Sequence, residues 1–501
     1  MRQDYDVIVI GGGTGGAIAA ISAGRQGLKT LLVERYGFLG GAATGGGLCN
    51  MSSFYFQDEQ VIKGLPYEFM SRLALMGAAT PQMRSICSRG MGYYCGYYNR
   101  EVYKWLLLKM AREADVDVLL HTYFEDTITD GSKAVGVQVV NNSGRQSYYC
   151  KVIIDASGDA EPSYKAGAEC VMGDDEGLIQ PGSLMFDMGN VDIEKLYQYV
   201  LKNIDDFDVK TDQIPIHHDI PAHLQQRHFN IQGFFDLFRE KGSEVYARKS
   251  SLLLTTTSMP NVVCMNSTRV HADPNDADSR SEGEWDGIYQ AVSIAEFLRR
   301  YVPGFESSVL VHCGSEVSYR ESRHIVGEYT ITEEDVLEGR KFRDVIARNG
   351  FPCDIHKETA GAFAGFDPNI QNSECHFWLN KDAYDIPYRS LIPKNVDGII
   401  VIGKCISASH IAHGSTRLMP IVMAEGEAAG VAAKLAVESG RELRDIDIAE
   451  LQRRLETQGV SLWRNDEEAA GQRAVARAKM KEFLDNNVCI NSLADNVEWF
   501  D

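Results

Sequence analysis

A glycine-rich turn between two apolar runs near the amino terminus is the feature that most constrains this chain. Val7 to Ile10 lead into Gly11-Gly12-Gly13-Thr14-Gly15-Gly16, an alanine-rich helical segment follows, and a second apolar run covers residues 30–33. Glycines at this spacing allow a tight turn, close approach of a pyrophosphate and close packing of helix on strand. Glu34 ends the second run, where a carboxylate can accept ribose hydroxyls. The pattern predicts a doubly wound α/β domain that binds a dinucleotide.

A second run of small residues, Gly40 to Gly47, follows this unit directly. Such a run cannot build a core by itself, and it leaves backbone free to lie against a large flat group. A flat ring system is the natural candidate for that group. The candidate contacts in this region are Arg35, Gly40, Gly41, Ala42, Ala43 and Thr44.

The apolar residues Ile153 and Ile154 run into a third candidate segment, Asp155-Ala156-Ser157-Gly158-Asp159. Backbone amides at the carboxyl edge of a parallel sheet face ligands in doubly wound folds. We therefore assign Ser157, Gly158 and Asp159 to the dinucleotide site, with a plain turn as the alternative.

The remaining pattern predicts the order of elements and four segments of the chain. It favours helices near 64–76 and 99–114, a strand near 116–121, a hairpin over 134–154, an acidic helix from Thr332, a strand at 398–403 and a helix from about Pro420. Residues 1–175 and 385–440 are predicted to form the nucleotide domain. Residues 176–384 are predicted to be an inserted α+β substrate domain, and residues 441–501 a helical tail.

Charge and cysteine usage exclude several function classes. Asp and Glu outnumber Lys and Arg by 70 to 50, which disfavours nucleic acid and anionic membranes as partners. No apolar stretch is long enough for a membrane span, and the first strand leaves no room for a signal peptide, so we expect a cytoplasmic protein. The 11 cysteines form no ligand cluster or redox pair in sequence, and no metal site is predicted.

Six motifs spread over nearly the whole chain carry a resemblance to a known family. They are GGGTGG with Glu34, RYGFLGGAATGG, VIIDASGDAE, SYRESRHIVGEYTITEEDV, YDIPYRSLIP and VIGKCISASHIAHGSTRLMPIVMAEGEAAGVAA. With these motifs the chain resembles the FAD-dependent oxidoreductases related to the fumarate reductase and succinate dehydrogenase flavoproteins, and more closely a soluble bacterial branch of them.

The resemblance implies a Rossmann-like FAD-binding domain of the glutathione reductase/fumarate reductase type with an inserted cap domain. It implies non-covalent FAD, because Phe38-Leu39 stand where the succinate dehydrogenase branch carries an attaching histidine. A helix starting near Met419 would face the ring with its positive end and stabilise the negative charge of reduced flavin. The resemblance adds Gly403, Gly414, Ser415 and Thr416 to the predicted FAD contacts.

The predicted catalytic residues are Arg417, Arg323, Arg320 and His413. Arg417 lies in HGSTRL, which is similar to the substrate-pocket stretch of fumarate reductases, and a buried structural ion pair is its alternative role. Arg320, Glu321 and Arg323 form either an anion pocket or a salt-bridge network. His324, His410 and His413 are each candidates for a general base, or for hydrogen-bonding roles in the scaffold.

The predicted function is hydride transfer between a small polar substrate, such as a polyol, sugar derivative, hydroxy acid or amino acid, and FAD. Three alternatives stay open: reduction of an activated carbon–carbon double bond, an electron-transfer subunit of a larger complex, and a non-redox use of FAD. The electron donor or acceptor is not identified, and a homo-oligomer is compatible with the sequence.

Overall fold

The computed structural model describes residues 4–56, 59–80, 82–84, 86–87, 94–207, 229–356 and 375–463. The predicted tail is therefore described only to residue 463. Eleven α-helices lie in these ranges: α1 Thr14–Arg25, α2 Leu65–Leu75, α3 Arg100–Glu113, α4 Glu161–Lys165, α5 Ile193–Lys202, α6 Phe235–Lys241, α7 Ala277–Tyr301, α8 Glu333–Glu338, α9 His410–Thr416, α10 Met419–Ser439 and α11 Ile448–Thr457.

Twenty-five strands, many of them short, lie in the same ranges. They are β1 Val7–Ile10, β2 Thr30–Val33, β3 Asn50–Ser52, β4 Tyr55–Phe56, β5 Glu59–Gln60, β6 Met83–Arg84, β7 Ile86–Cys87, β8 Tyr94–Tyr97, β9 Asp117–Leu119, β10 Tyr123–Asp130, β11 Lys133–Asn141, β12 Gly144–Tyr149, β13 Val152–Asp155, β14 Cys170–Val171, β15 Phe186–Gly189, β16 Phe229–Gly233, β17 Leu252–Thr256, β18 Val263–Met265, β19 Val309–Cys313, β20 His324–Ile325, β21 Val345–Asn349, β22 Cys353–His356, β23 Cys375–Trp378, β24 Tyr384–Pro387 and β25 Ile399–Val401.

A five-stranded parallel sheet organises the first part of the fold, in the order β25-β13-β1-β2-β9. The predicted strand–turn–helix–strand unit is confirmed as β1, α1 and β2, and the predicted strands near 116–121 and 398–403 join the same sheet. Every residue of β1, β2 and β13 is buried, as expected for a parallel sheet covered on both faces.

The hairpin predicted over 134–154 differs from the structure in its second arm. That arm is two strands: β12 pairs antiparallel with β11, whereas β13 joins the parallel sheet beside β1. The break falls at Cys150-Lys151, between the two pairings. A further strand, β10, pairs with β11 and gives a three-stranded antiparallel sheet; its largely polar sequence gave no strand signal.

A six-stranded sheet, in the order β19-β15-β18-β17-β16-β7, forms the second layer. Its apolar face packs in a second core with α5 and α7, which includes Phe186, Leu254 and Ile294. Strand β7 comes from a part of the chain that precedes the predicted insert.

The second half of the predicted insert packs in the first core. Ile331, Val345 and Tyr384 share that core with α1 and α10. The boundary predicted near residue 384 thus does not separate the two cores, and the division of the chain into domains stays a prediction.

Helix α10 crosses α1 at close range through its small residues. A side chain at Gly426 would place a Cβ 2.4 Å from the carbonyl oxygen of Gly15, and one at Gly430 would place it 2.6 Å from Ser22. This packing fixes the start of α10 near the glycine turn. Within the described ranges, no helix is both long and apolar enough to span a membrane.

Candidate functional site

A cavity of about 560 Å³ opens where the carboxyl ends of the parallel strands meet the six-stranded sheet. The first wall is built from residues that follow β1, β2, β13 and β25, and the second wall from β16, β17 and the segment after β18. Cavities of this size are typical of ligand sites, and the edge is the one where doubly wound folds bind nucleotides.

The glycine turn after β1 forms the floor of the cavity. Gly11 has a φ of +98°, and a Cβ there would lie 2.3 Å from the carbonyl oxygen of Ala156, so only glycine fits. Gly13 is different, because a Cβ there would meet no protein atom closer than 4.0 Å. The space over Gly13 is therefore left open by the protein and faces the cavity.

The second glycine run lies directly against the first. Gly40 forms a parallel bridge with Gly13, its N–H donates to the Gly12 carbonyl oxygen at 2.8 Å, and the Thr14 hydroxyl donates to the Gly40 carbonyl oxygen at 3.0 Å. Gly41 and Ala42 line the cavity from this run.

Glu34 holds its carboxylate at the rim of the turn. Its oxygens accept the N–H of Gly12 at 2.7 Å and of Tyr36 at 2.8 Å. Burial raises the pKa of Glu34, and these two amide hydrogen bonds oppose that shift. A carboxylate has about four lone-pair positions, so acceptor capacity remains for the hydroxyls of a ribose.

Charged side chains surround the mouth of the cavity. Arg35 pairs with Glu316, which also lies 3.3 Å from Arg280. Lys404 lies 3.0 Å from Asp159, and although burial favours the neutral acid, this ammonium lowers the pKa of Asp159.

Helix α10 begins at the cavity wall. Met419 and Pro420 line the cavity, and no side chain caps the first turn of the helix. The unpaired amides at a helix amino end carry partial positive charge and favour an anion nearby. The predicted helix start near Met419 is confirmed.

Arg320 and Arg417 line the part of the cavity next to this helix end. Arg320 donates to the Pro181 carbonyl oxygen at 2.6 Å and to the Ser183 hydroxyl at 3.0 Å. Arg417 donates through Nη2 to the Asp354 carbonyl oxygen at 3.1 Å, and the same nitrogen lies 3.7 Å from the Asp354 carboxylate, an ion pair of the kind its alternative role predicts. Its Nε has no hydrogen-bond partner among the described residues.

His356 lines the same region, and burial lowers its pKa well below the usual value, with Arg320 adding to the effect. Its ring is therefore neutral near pH 7. Nδ1 lies 3.2 Å from an Arg269 nitrogen, which makes Nδ1 the acceptor and places the ring proton on Nε2.

The structure places most of the predicted site residues on the cavity wall. The lining residues among them are Gly11, Gly13, Thr14, Gly15, Gly16, Glu34, Arg35, Gly41, Ala42, Ser157, Gly158, Asp159, Gly403, Arg320 and Arg417.

Gly40, Ala43 and Thr44 do not line the cavity and instead support the residues that do. The Thr44 hydroxyl donates to the Leu39 carbonyl oxygen at 2.9 Å, and Ala43 is fully buried. Their contact with the cofactor stays a prediction.

Gly414, Ser415 and Thr416 belong to the separate short helix α9 and do not line the cavity, and their contact with FAD stays a prediction. Ser415 shares a hydrogen bond of 2.7 Å with the Tyr384 hydroxyl, and a Cβ at Gly414 would meet the Asp354 backbone at 2.7 Å. The residues that reach the start of α10 are instead Arg417 to Pro420.

Arg323 and His413 lie outside the lining as well. The Arg323 guanidinium stacks 4.4 Å from the centre of the Tyr164 ring. His413 is fully buried, and burial together with the nearby His324 ring lowers its pKa well below the usual value. The catalytic roles of Arg323 and His413 stay predictions.

Sequence reasoning missed the polar wall contributed by the six-stranded sheet. Asn230 and Gln232 alternate along β16 and so share one face, which gave a weak signal. The lining residues that the sequence did not single out include Asn50, Ser183, Met185, Asn230, Gln232, Asn266, Arg280, Glu316, Phe351, Asp354, His356 and Lys404.

Comparison with known proteins identifies the family. A family model described as FAD dependent oxidoreductase matches residues 6–455. This chain belongs to that family. It is an FAD-dependent oxidoreductase with a Rossmann-like nucleotide-binding fold, and its cofactor is FAD.

Two curated relatives share a name. A digeranylgeranylglycerophospholipid reductase of Methanocella arvoryzae is 27% identical over 162 residues, which is 32% of this chain and 40% of that protein. The reductase of the same name from Thermoplasma acidophilum is 26% identical over 197 residues, or 39% and 49% of the two chains. The match thus spans less than half the length of these relatives.

Solved structures show a more distant similarity. The flavin-dependent brominase Bmp2 has a TM-score of 0.47 at 14% identity, covering 96% of this chain and all of that one. A geranylgeranyl bacteriochlorophyll reductase-like protein of Thermoplasma acidophilum has a TM-score of 0.46 at 13% identity, covering 95% and 88%.

The residues of the cavity fit FAD. The open space over Gly13 admits a pyrophosphate against bare backbone, Glu34 retains acceptor capacity for ribose hydroxyls, and the uncapped end of α10 supplies positive charge. FAD supplies the hydride chemistry when it is bound.

Proposed function

We propose that this chain uses FAD to reduce a carbon–carbon double bond activated by a neighbouring anionic group. The observation that carries the proposal is the position of Arg417, which lines the cavity immediately before the uncapped amino end of α10. A guanidinium there can bind a carboxylate or stabilise negative charge that develops on the substrate.

The names of the curated relatives support the direction of the reaction. Both are reductases of a lipid that carries geranylgeranyl chains, which are rich in carbon–carbon double bonds. The cavity of this chain is lined by Asn230, Gln232 and Asn266 beside the two arginines, which favours a more polar substrate than a lipid.

The chain's own residues bind and orient this substrate. Arg417 holds its anionic group, and Arg320, fixed by Pro181 and Ser183, adds positive charge on the same side. His356 is neutral and is held by Arg269, so it orients polar groups rather than adding charge.

The polar wall favours a second candidate function, which is dehydrogenation of a small polyol, sugar derivative, hydroxy acid or amino acid. Amide side chains such as Asn230, Gln232 and Asn266 suit hydroxyl groups as both donors and acceptors. Here the substrate would give a hydride to oxidised FAD.

Mixing experiments under anaerobic conditions distinguish the two functions. Photoreduced enzyme is mixed with a panel of 2-enoic and 2-enedioic acids, and oxidised enzyme with polyols, hydroxy acids and amino acids, while the flavin absorbance is followed. We expect reoxidation by an unsaturated acid. Bleaching by a polyol or hydroxy acid with no response to any enoic acid would contradict the proposal.

Replacement of Arg417 tests the residue that carries the proposal. We expect Arg417→Gln to lower kcat/KM for the unsaturated acid by about 10- to 100-fold, because charge-assisted hydrogen bonds are worth about 1.5–3 kcal/mol. FAD content should stay unchanged. The control is Arg389→Gln, since Arg389 pairs with Asp344 outside the cavity; equal losses in both variants would contradict the role of Arg417.

We retain three finer predictions as proposals. The FAD domain is of the glutathione reductase/fumarate reductase type with a cap built on the six-stranded sheet. FAD is held non-covalently, which denaturation followed by ultrafiltration would test. The branch related to fumarate reductase stays a proposal supported by the HGSTRL stretch at residues 413–418.

A further inference from the structure

Three ionisable side chains that the sequence did not group as ligands meet behind the cavity wall. Glu321 lies shortly before β20, His324 is the first residue of β20, and His413 comes from α9. All three are buried, with exposed fractions of 0%, 2% and 0%. One candidate ligand atom from each lies within 4.8 Å of the others.

The histidines of this cluster have nitrogens without hydrogen-bond partners among the described residues. These are Nδ1 and Nε2 of His324 and Nε2 of His413. An unsatisfied buried polar group costs about 1–3 kcal/mol, and such groups are rare in folded proteins. One nitrogen from each ring can share a partner with the Glu321 carboxylate, because one ion binds only one nitrogen of a given imidazole. Two unsatisfied rings beside one carboxylate indicate a missing common partner.

One distance between two of the candidate ligand atoms matches that expected around a metal ion. Two ligand atoms that each lie about 2.0–2.1 Å from a tetrahedral ion are about 3.3 Å apart. Nε2 of His324 lies 3.3 Å from Oε1 of Glu321, which is ion-pair distance, but the atoms are not aligned for a hydrogen bond. The rings of His324 and His413 are 4.4 Å apart, centre to centre, at a steep angle of 65°.

We propose that Glu321, His324 and His413 bind a divalent first-row transition-metal ion, most simply Zn²⁺. Two imidazoles and one carboxylate are ligands that such ions prefer. The set contains no thiolate and too few oxygens for calcium or magnesium.

Neighbouring side chains and a backbone amide contact these ligands, as the groups behind the ligands do in metal sites. His410 Nδ1 lies 2.9 Å from Glu321 Oε1, and the Gln180 N–H donates to Glu321 Oε2 at 2.9 Å. The Gln180 side chain lies 3.4 Å from His413 Nδ1. Contacts of this kind fix the orientation of ligating side chains.

The site would join the inserted segment to the segment that returns to the FAD domain. None of its three ligands lines the cavity, so the ion has a structural role rather than a catalytic one. Glu321 follows Arg320, and His413 lies one helical turn before Arg417. The ion would therefore position both arginines, and the inference does not depend on which substrate they bind.

Metal analysis of the holoenzyme tests the inference. The full chain is purified without a histidine tag or chelator, and metals are measured by plasma mass spectrometry against FAD. We expect about one zinc or other first-row ion per chain. His413→Gln and His324→Gln should each retain less than about a tenth of this metal, whereas His121→Asn, at an exposed position with a φ of +52° that asparagine tolerates, should retain it.

A second measurement covers the case in which the variants fail to fold. Wild-type protein treated with EDTA and dialysed is melted with and without added Zn²⁺, and we expect Zn²⁺ to raise its Tm by several degrees. Two results would overturn the inference. One is wild-type protein with no metal and no response of Tm to Zn²⁺, which would make the cluster a metal-free hydrogen-bonded group; the other is equal metal in wild type and both cluster variants.

Discussion

At the scale of single residues, Gly13 is a position where we expect FAD binding, and not the fold, to require glycine. A Cβ at this position would meet no protein atom closer than 4.0 Å, yet the position lines the cavity. We expect Gly13→Ala to leave the Tm of the FAD-free protein nearly unchanged and to weaken FAD binding at least about tenfold, because the methyl group enters the space for the pyrophosphate. Flavin fluorescence titration and thermal melts measure the two effects.

Gly11→Ala is the matched contrast for this prediction. There the φ of +98° and a contact of 2.3 Å with Ala156 oppose any side chain. This variant should lose stability even without FAD. A Gly13→Ala protein that melts as early as Gly11→Ala would show that Gly13 serves the fold and not the ligand.

Residue-level prediction from sequence succeeded where the contacts are local. Glu34 and the glycine turn belong to the same strand–helix–strand unit, so their spacing in the sequence predicts that they lie close together in the fold. His356 and Asn266 reach the cavity through pairings between distant strands, and no local pattern marks them. The histidine pair at 324 and 413 was visible only as two separate candidates, because its meeting depends on the tertiary fold.

At the scale of elements, the packing of α1 on α10 is set by glycines. A Cβ at Gly426 would lie 2.4 Å from the Gly15 carbonyl oxygen, which is backbone and cannot rotate away. Alanine is favoured over glycine in a helix by about 1 kcal/mol, but we expect the overlap to outweigh this gain and to lower stability by about 1–3 kcal/mol. Urea unfolding of Gly426→Ala measures the net effect.

FAD affinity should fall in the same variant, because Gly15 lines the cavity. Lys434→Ala is the control on α10, since Lys434 pairs with Glu438 and not with α1. A Gly426→Ala protein at least as stable as wild type would show that the two helices separate without cost.

The buried Glu427 makes the stability of the α2–α10 contact depend on pH. Its carboxylate accepts the N–H of Leu65, the first residue of α2, at 3.0 Å, and burial raises its pKa from 4.5 to about 8. Between these values the unfolded chain releases a proton that the folded protein retains. The free energy of unfolding should therefore fall as pH rises through this window, by up to about 1.4 kcal/mol per pH unit.

The variant Glu427→Gln should lose this part of the pH dependence. Urea unfolding at pH 5.5 and pH 8 compares the decrease in each protein, with Glu456→Gln on the exposed side of α11 as the control. The same slope in wild type and Glu427→Gln would mean that Glu427 is ionised in the folded protein across this range.

The starts of helices with clear capping residues were predicted closely. Asn99 caps α3 through hydrogen bonds to the N–H groups of Glu101 and Val102, and Thr332 forms a capping box with Asp335 at the start of α8. Strand β10 was not predicted because its sequence is largely polar. It forms a strand through its antiparallel pairing with β11. The break between β12 and β13 was not predicted because one continuous run of residues contributes strands to two different sheets.

At the scale of the whole molecule, the sequence predicted an insert but not how it packs. The change of pattern after residue 176 precedes β15 to β19 of the second sheet, whereas β7 of that sheet comes from before it. Residues between 331 and 349 pack again in the first core, and no change in composition predicts this. Which core a short strand joins is decided by long-range packing, and periodicity alone does not carry that information.

A buried ion pair joins the two layers. Arg100, the first residue of α3, donates to the Gly47 carbonyl oxygen at 2.7 Å and pairs with Asp187 of β15. Both side chains are buried, and burial raises the pKa of Asp187 although Arg100 opposes the shift. Removing one partner leaves an uncompensated charge, so we expect Arg100→Met to lower stability by about 3–5 kcal/mol.

The double variant Arg100→Met/Asp187→Leu decides whether that loss comes from a stranded charge or from lost packing between the layers. If the charge dominates, removing Asp187 as well should recover most of the stability, because a buried pair replaced by apolar groups is often nearly neutral. If packing dominates, the double variant should be no more stable than Arg100→Met. Urea unfolding of wild type, both single variants and the double variant gives the coupling energy directly. A coupling near zero would mean that the six-stranded sheet is held on the FAD domain by apolar contacts and that this pair contributes nothing to their association.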